Sequence, residues 1–163
     1  MNANHQHLAY CGALKSDNNS PLFVPAKYME AVRDVLGDIE LQPCYGFLPF
    51  SKNDWGCKTL FLVLPNGANN RISAVNKFFE EREKYNFPAI VLTNNATETK
   101  WCQKFLKNSN IICGVTGRIQ FEDENGNAKK NNTCGQIFFY FGDDVDEFKN
   151  VFSKFGCCSI YVC

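Results

Sequence analysis

The chain has 163 residues, the length of a single domain and enough to bury a core without covalent staples. Hydrophobic residues make up 45% and charged residues 21%, a balance that excludes a disordered chain. Lys and Arg number 17, as do Asp and Glu, so the net charge is zero. That excludes the overall basic footprint of a non-specific nucleic-acid binder and the acidity of a DNA mimic, and leaves room only for a local basic patch.

In chain order, residues 1–20 read as a polar leader rich in Asn and Ser, and 21–163 as one domain. Pro25 suits the first position of a helix, where its missing N–H is no loss. Tyr28, Met29, Val32 and Leu36 follow at helical spacing, and Gly37 closes the helix. A short strand over 39–41 is stopped by Pro43, and a loop over 44–58 carries Gly, Pro and aromatics, with Asp54 and Trp55 within it. The apolar run 59–64 predicts a strand buried on both faces, broken by Pro65-Asn66-Gly67. A helix over 72–85 turns Val75, Phe78 and Phe79 inward and leaves Lys77 and Glu80 on its polar face. A second buried strand covers 88–93. Asn95 and Glu98 have the spacing of a capping box for a helix running to about 106. Three strands follow, over 111–115, 118–121 and 136–141, the last two joined by the polar segment 123–133. A helix over 145–154 stops at Gly156, and a final strand covers 159–162.

Strand–helix alternation followed by a hairpin predicts an α/β fold: a mixed, mostly parallel sheet flanked by helices, with an antiparallel hairpin at its C-terminal end. Ligands of such sheets sit at the carboxyl ends of the strands, here the loops 42–58, 65–71 and 94–98.

The nine cysteines are Cys11, Cys44, Cys57, Cys102, Cys113, Cys134, Cys157, Cys158 and Cys163. No C-x-x-C occurs, and the two histidines, His5 and His7, lie in the leader, so no metal site is expected. Residues 1–7 lack the basic and apolar regions of a signal peptide. No apolar run reaches the roughly 20 residues of a membrane span. The cysteines therefore read as reduced, mostly buried apolar residues of a cytoplasmic protein with no membrane partner.

Four stretches together resemble the phage-type DNA adenine-N6 methyltransferases: Val24-Pro25 with the helix and Gly37-Asp38-Ile39-Glu40-Leu41-Gln42-Pro43 after it; Val91-Leu92-Thr93-Asn94-Asn95-Ala96-Thr97-Glu98-Thr99-Lys100-Trp101; Gly117-Arg118-Ile119-Gln120-Phe121; and Gly135-Gln136-Ile137-Phe138-Phe139-Tyr140-Phe141-Gly142, with 148–156 as the closing helix. The resemblance spans roughly residues 22–156. It implies a trimmed Rossmann-like methyltransferase domain from a phage or mobile element, with Pro25, Glu40, Gln42, Pro43 and Asn94 at the place of the S-adenosylmethionine cofactor. It also implies an Asn-Pro-Pro-Tyr-type loop that receives an extruded adenine. In that loop a polar side chain and a proline carbonyl accept the amine, and a ring stacks on the base.

Here the sequence departs from the family. Val63, Leu64, Pro65 and Asn66 stand at the motif positions, so the leading amine acceptor and the aromatic are gone, and only Pro65 and Asn66 remain of a degenerate catalytic loop. Gln42 replaces one of the two acidic residues of the cofactor loop, and Val24 replaces the Thr of a Thr-Pro. Loss of a single polar catalytic contact costs about 10²–10³ in rate. The expectation is a non-catalytic relative with no resident cofactor, binding DNA or a protein of the host's DNA-handling or defence machinery. The alternative is a divergent active adenine methyltransferase that uses S-adenosylmethionine, with Asn66, Asn69 or Asn70 accepting the amine.

Lys100, Lys104 and Lys107 fall on one helix face, no acid occurs between Thr99 and Phe121, and Arg118 adds to the charge. These four residues are the candidate phosphate contacts; a solvated helix face is the competing reading. Trp101 shares a stripe with Cys102, Phe105 and Leu106, which favours core packing over stacking on a base.

Overall fold

The computed structural model of the protein describes residues 10–15, 21–39, 56, 58–65, 67–130 and 132–162. The elements are β1 (Tyr10–Lys15), β2 (Pro21–Phe23), α1 (Ala26–Leu36), β3 (Leu60–Val63), α2 (Ala68–Tyr85), β4 (Ala89–Asn94), α3 (Lys100–Asn108), β5 (Ile111–Val115), β6 (Gln136–Phe141), α4 (Val145–Phe152) and β7 (Gly156–Ser159).

α1 begins one residue after Pro25, which stands at the N-cap in extended conformation and accepts the Tyr28 N–H on its carbonyl. The helix buries Tyr28, Met29, Ala31, Val32 and Leu36 and ends at Gly37, whose φ is 72°. α2 starts one turn before the expected 72, because Gly67 accepts the Arg71 N–H. That first turn is mostly exposed, so it left no apolar period to read. Its C-cap is Asn86, in the left-handed conformation that Asn tolerates better than most residues. α3 is capped by Thr99, not Asn95: the Thr99 hydroxyl accepts the Cys102 N–H at 3.3 Å, while the Asn95 N–H donates to the Gly135 carbonyl. α4 ends at Phe152, two residues short of the expected end.

Five strands form one sheet in the order β3-β4-β6-β5-β7. β3 and β4 are parallel, and the other three pairings are antiparallel. The α/β class and the mixed sheet with helices stand as expected. The expectation of a mostly parallel sheet is corrected. β4, α3 and β5 do follow in strand–helix–strand order, but β6 returns between β4 and β5 and converts one parallel neighbour into two antiparallel ones.

Two further expectations are corrected. Residues 118–121 are not a strand. Ile119 and Phe121 are buried with strand-like alternation, but their backbone groups are satisfied outside any ladder: Ile119 N–H donates to the Gln136 side chain, and the Ile119 and Phe121 carbonyls accept from Asn132 Nδ2 and the Lys129 N–H. The last strand lies at Gly156–Ser159 rather than 159–162. Within the stretch read as leader, Tyr10–Lys15 pairs antiparallel with β2 as a separate two-stranded ribbon. The expected strand over 39–41 lies, beyond Ile39, outside the described residues, as does most of the loop 44–58; Ile39 itself is not in a strand.

Helices cover both faces of the sheet. α1 and α4 pack with Phe61, Val63, Ile90, Leu92, Ile111, Cys113, Phe138 and Tyr140 on one side. α2 and α3 pack with Leu60, Leu62, Ala89, Val91, Ile137, Phe139 and Phe141 on the other. Consecutive strand residues thus serve opposite layers, the period-2 geometry of an extended chain. Every residue of β6 is buried, which explains the unbroken apolar run that follows Gln136. Among the described residues no helix is long and apolar enough to cross a membrane.

Candidate functional site

The parallel pair β3–β4 brings Val63 and Asn94 to its carboxyl edge, and antiparallel β6 starts there with Gln136 opposite Asn94. This edge holds the described part of the candidate site. Val63 and Leu64 are each only 5% exposed, and they belong one to each core layer. Val63, at the position where the resemblance implies an amine acceptor, and Leu64, at a proline position, are both hydrocarbon, and neither side chain can accept a hydrogen bond. Pro65 is buried, and its carbonyl accepts Arg71 Nε at 3.2 Å. Arg71 in turn lies over the Trp101 ring, 5.1 Å from its centroid, at cation–π distance.

Asn94 is held from the other side. Its Oδ1 accepts Gln136 Nε2 at 3.1 Å, and Gln136 Oε1 accepts the Ile119 N–H at 3.0 Å. Gln136 is 2% exposed, so this chain of bonds satisfies a buried amide and ties the start of β6 to the segment after β5. The Asn94 side-chain oxygen thus serves an internal bond.

Of the remaining residues singled out from sequence, Glu40, Gln42, Pro43 and Asn66 lie outside the described residues, as do Asp54 and Trp55. Pro25 and Arg118 line one hollow of about 340 Å³, with Lys27, Tyr28, Gln120 and Glu122. Burial pushes the Tyr28 phenol above its ordinary range, so it stays neutral.

Lys100, Lys104 and Lys107 are exposed on α3 and border a hollow of about 420 Å³ with Glu98, Gln103 and Asn108. Lys104 Nζ stands 4.4 Å from the centroid of the Phe79 ring. It also borders a neighbouring hollow of about 410 Å³, with Phe79, Arg82, Glu83, Asn108 and Phe141. The three lysines form one patch, and Arg118 lines a different hollow. Trp101 is half-buried and meets Phe105 edge-on, whereas Cys102, Phe105 and Leu106 are fully in the core.

Sequence reasoning missed Arg71 and Gln136. Arg71 sits in a helical turn without apolar periodicity. Gln136 carried a readable signal, a lone polar residue opening an apolar strand. No family model, curated protein or solved structure matches this chain.

Proposed function

We propose that the chain is a non-catalytic relative of the phage-type DNA adenine methyltransferases that binds DNA through the lysine face of α3. The observation that carries this reading is the burial of Val63 and Leu64 at the carboxyl end of β3. Preorganised polar groups aimed at the reacting atoms carry a large share of an enzyme's rate enhancement, and the degenerate motif offers hydrocarbon at the leading position. The surviving proline carbonyl at Pro65 already accepts from Arg71. Support for the scaffold comes from the four resembling stretches and from an α/β sheet that joins a parallel β3–β4 pair to an antiparallel β5–β6 pair. Support for DNA comes from three exposed lysines on one helix with no acid in its sequence.

The test combines duplex-DNA binding over a salt series with methyl transfer from labelled S-adenosylmethionine. The expected result is binding at low salt whose logarithm falls against log salt with a slope of about −2.7, or about −0.9 for each of three phosphate contacts. Reversing the charge at Lys100, Lys104 and Lys107 together removes that binding, and no label reaches adenine. Labelled adenine would establish the enzymatic alternative instead, with Asn69 or Asn70 at the start of α2 as the first residues to replace. Absence of binding at low salt would sink the DNA reading and leave a protein partner.

A further inference from the structure

β5 and β7 are antiparallel neighbours, with Cys113 directly opposite Cys158. The Thr116 N–H donates to the Phe155 carbonyl, so 116 and 155 stand at a hydrogen-bonding position of the ladder, with the Phe155 N–H turned back to Phe152. Antiparallel ladders alternate, so 114 and 157 are also hydrogen-bonded, and 115 with 156 and 113 with 158 are not. At a non-hydrogen-bonded pair the Cα atoms stand about 4.5 Å apart and the side chains are closest. That lies inside the range of about 4.4–6.8 Å that a disulfide spans. The two thiols are close enough to perturb each other's ionisation, and the Cys113 sulfur is 3.6 Å from the Phe152 carbonyl, to which it donates.

We propose that Cys113 and Cys158 are a redox-responsive dithiol, which a low-molecular-weight disulfide converts to an internal disulfide joining β5 to β7. The two sulfurs differ in access. Cys113 is 0% exposed, and Cys158 is half-buried on the strand at the end of the sheet. Cys158 is therefore the attacking thiol. Its thiolate displaces one thiolate from the reagent and forms a mixed disulfide. Cys113, giving up its proton to solvent or buffer, then attacks the Cys158 sulfur and expels the second thiolate. In the balance, two protein thiols are oxidised and one reagent disulfide is reduced to two thiols.

Cys102 and Cys157 are poorly placed to compete. Cys157 points to the opposite face of β7 from Cys158. Cys102 lies in the core layer on the other side of the sheet from Cys113. Burial holds both Cys113 and Cys158 thiols above their ordinary range, which suits a pair that stays reduced until challenged.

The test treats the full chain with glutathione disulfide in mildly alkaline buffer, alkylates remaining thiols and maps the peptides by mass. The expected product contains a Cys113–Cys158 cross-link, two hydrogens lighter than the separate thiols and reversed by dithiothreitol. In Cys113→Ala a glutathione adduct accumulates at Cys158. In Cys158→Ala, Cys113 is alkylated only after unfolding. Recovery of wild-type Cys158 as a glutathione adduct with Cys113 unlinked would overturn the proposal, as would a cross-link through Cys157. The wild-type map alone decides the matter if either variant fails to fold.

Discussion

Lys77 and Glu81 lie one helical turn apart on α2, with Nζ and Oε1 2.6 Å apart, and they are only 7% and 0% exposed. Charged side chains are rarely buried so deeply without a partner. Lys77→Met leaves the carboxylate of Glu81 without that ammonium, and urea denaturation should show a loss of about 3–5 kcal/mol. The double variant Lys77→Met/Glu81→Leu should recover most of it, because a buried pair is worth little against hydrocarbon of similar volume. The sequence placed Lys77 on a polar face. The i, i+4 spacing was legible, but the burial was not, since it depends on what packs over the helix. Gly156 is a second position decided by its neighbours. A Cβ there would collide with the Gly114 carbonyl across the β5–β7 ladder. Gly156→Ala should therefore loosen β7, seen as faster amide exchange over 156–159 with little change at β4.

Among the elements, those with a strong apolar period were legible: α1, β3, β4, β5 and β6 fall within a residue or two of their expected bounds. Ends and caps were not, because they turn on single hydrogen bonds. Thr99 and Asn95 both stand before the helix, and only the bond from the Cys102 N–H settles that Thr99 caps it. Thr99→Ala should cost about 1 kcal/mol in thermal or chemical denaturation, and Asn95→Ala much less as a cap. The segment after 121 shows the same local control. Asp123 accepts the Asn127 and Asn125 N–H groups, each at 2.9 Å, and its other oxygen lies 3.3 Å from Lys129 Nζ. The Asn127 backbone bond leads in holding this carboxyl below the usual carboxylate range. A depressed value in the folded chain means that the contribution is present above the ordinary carboxylate pKa and lost as pH falls through the lowered one. A carboxyl-carbon NMR titration should place the Asp123 midpoint below that of an unfolded peptide, with the Asn125 and Asn127 amide signals moving at the same pH.

For the whole molecule, the alternation along β6 fastens two layers to one strand. Phe138 fills the α1–α4 side and Phe139 the α2–α3 side, both fully buried. Truncating either to Ala should cost about 3–5 kcal/mol in denaturant. Amides of β4 and β6 should be the slowest to exchange, opening only with global unfolding. The layered α/β arrangement was legible because buried strands and amphipathic helices alternate in the sequence. Strand order was not, because pairing partners far apart in the chain leave no local mark. The carboxyl edge shows this most plainly: Gln136 reaches Asn94 across 42 positions.

That same order governs how the chain must be made. Synthesis delivers β3, β4 and β5 first, yet β5 has no sheet contact with β4 until β6 arrives between them. A nascent chain halted after residue 115 would carry a detached parallel pair and a lone apolar strand, the kind of exposed edge that invites aggregation. β5 therefore joins β3 and β4 in one sheet only once residues 136–141 have left the ribosome, so that junction forms late rather than by growth from the N-terminus.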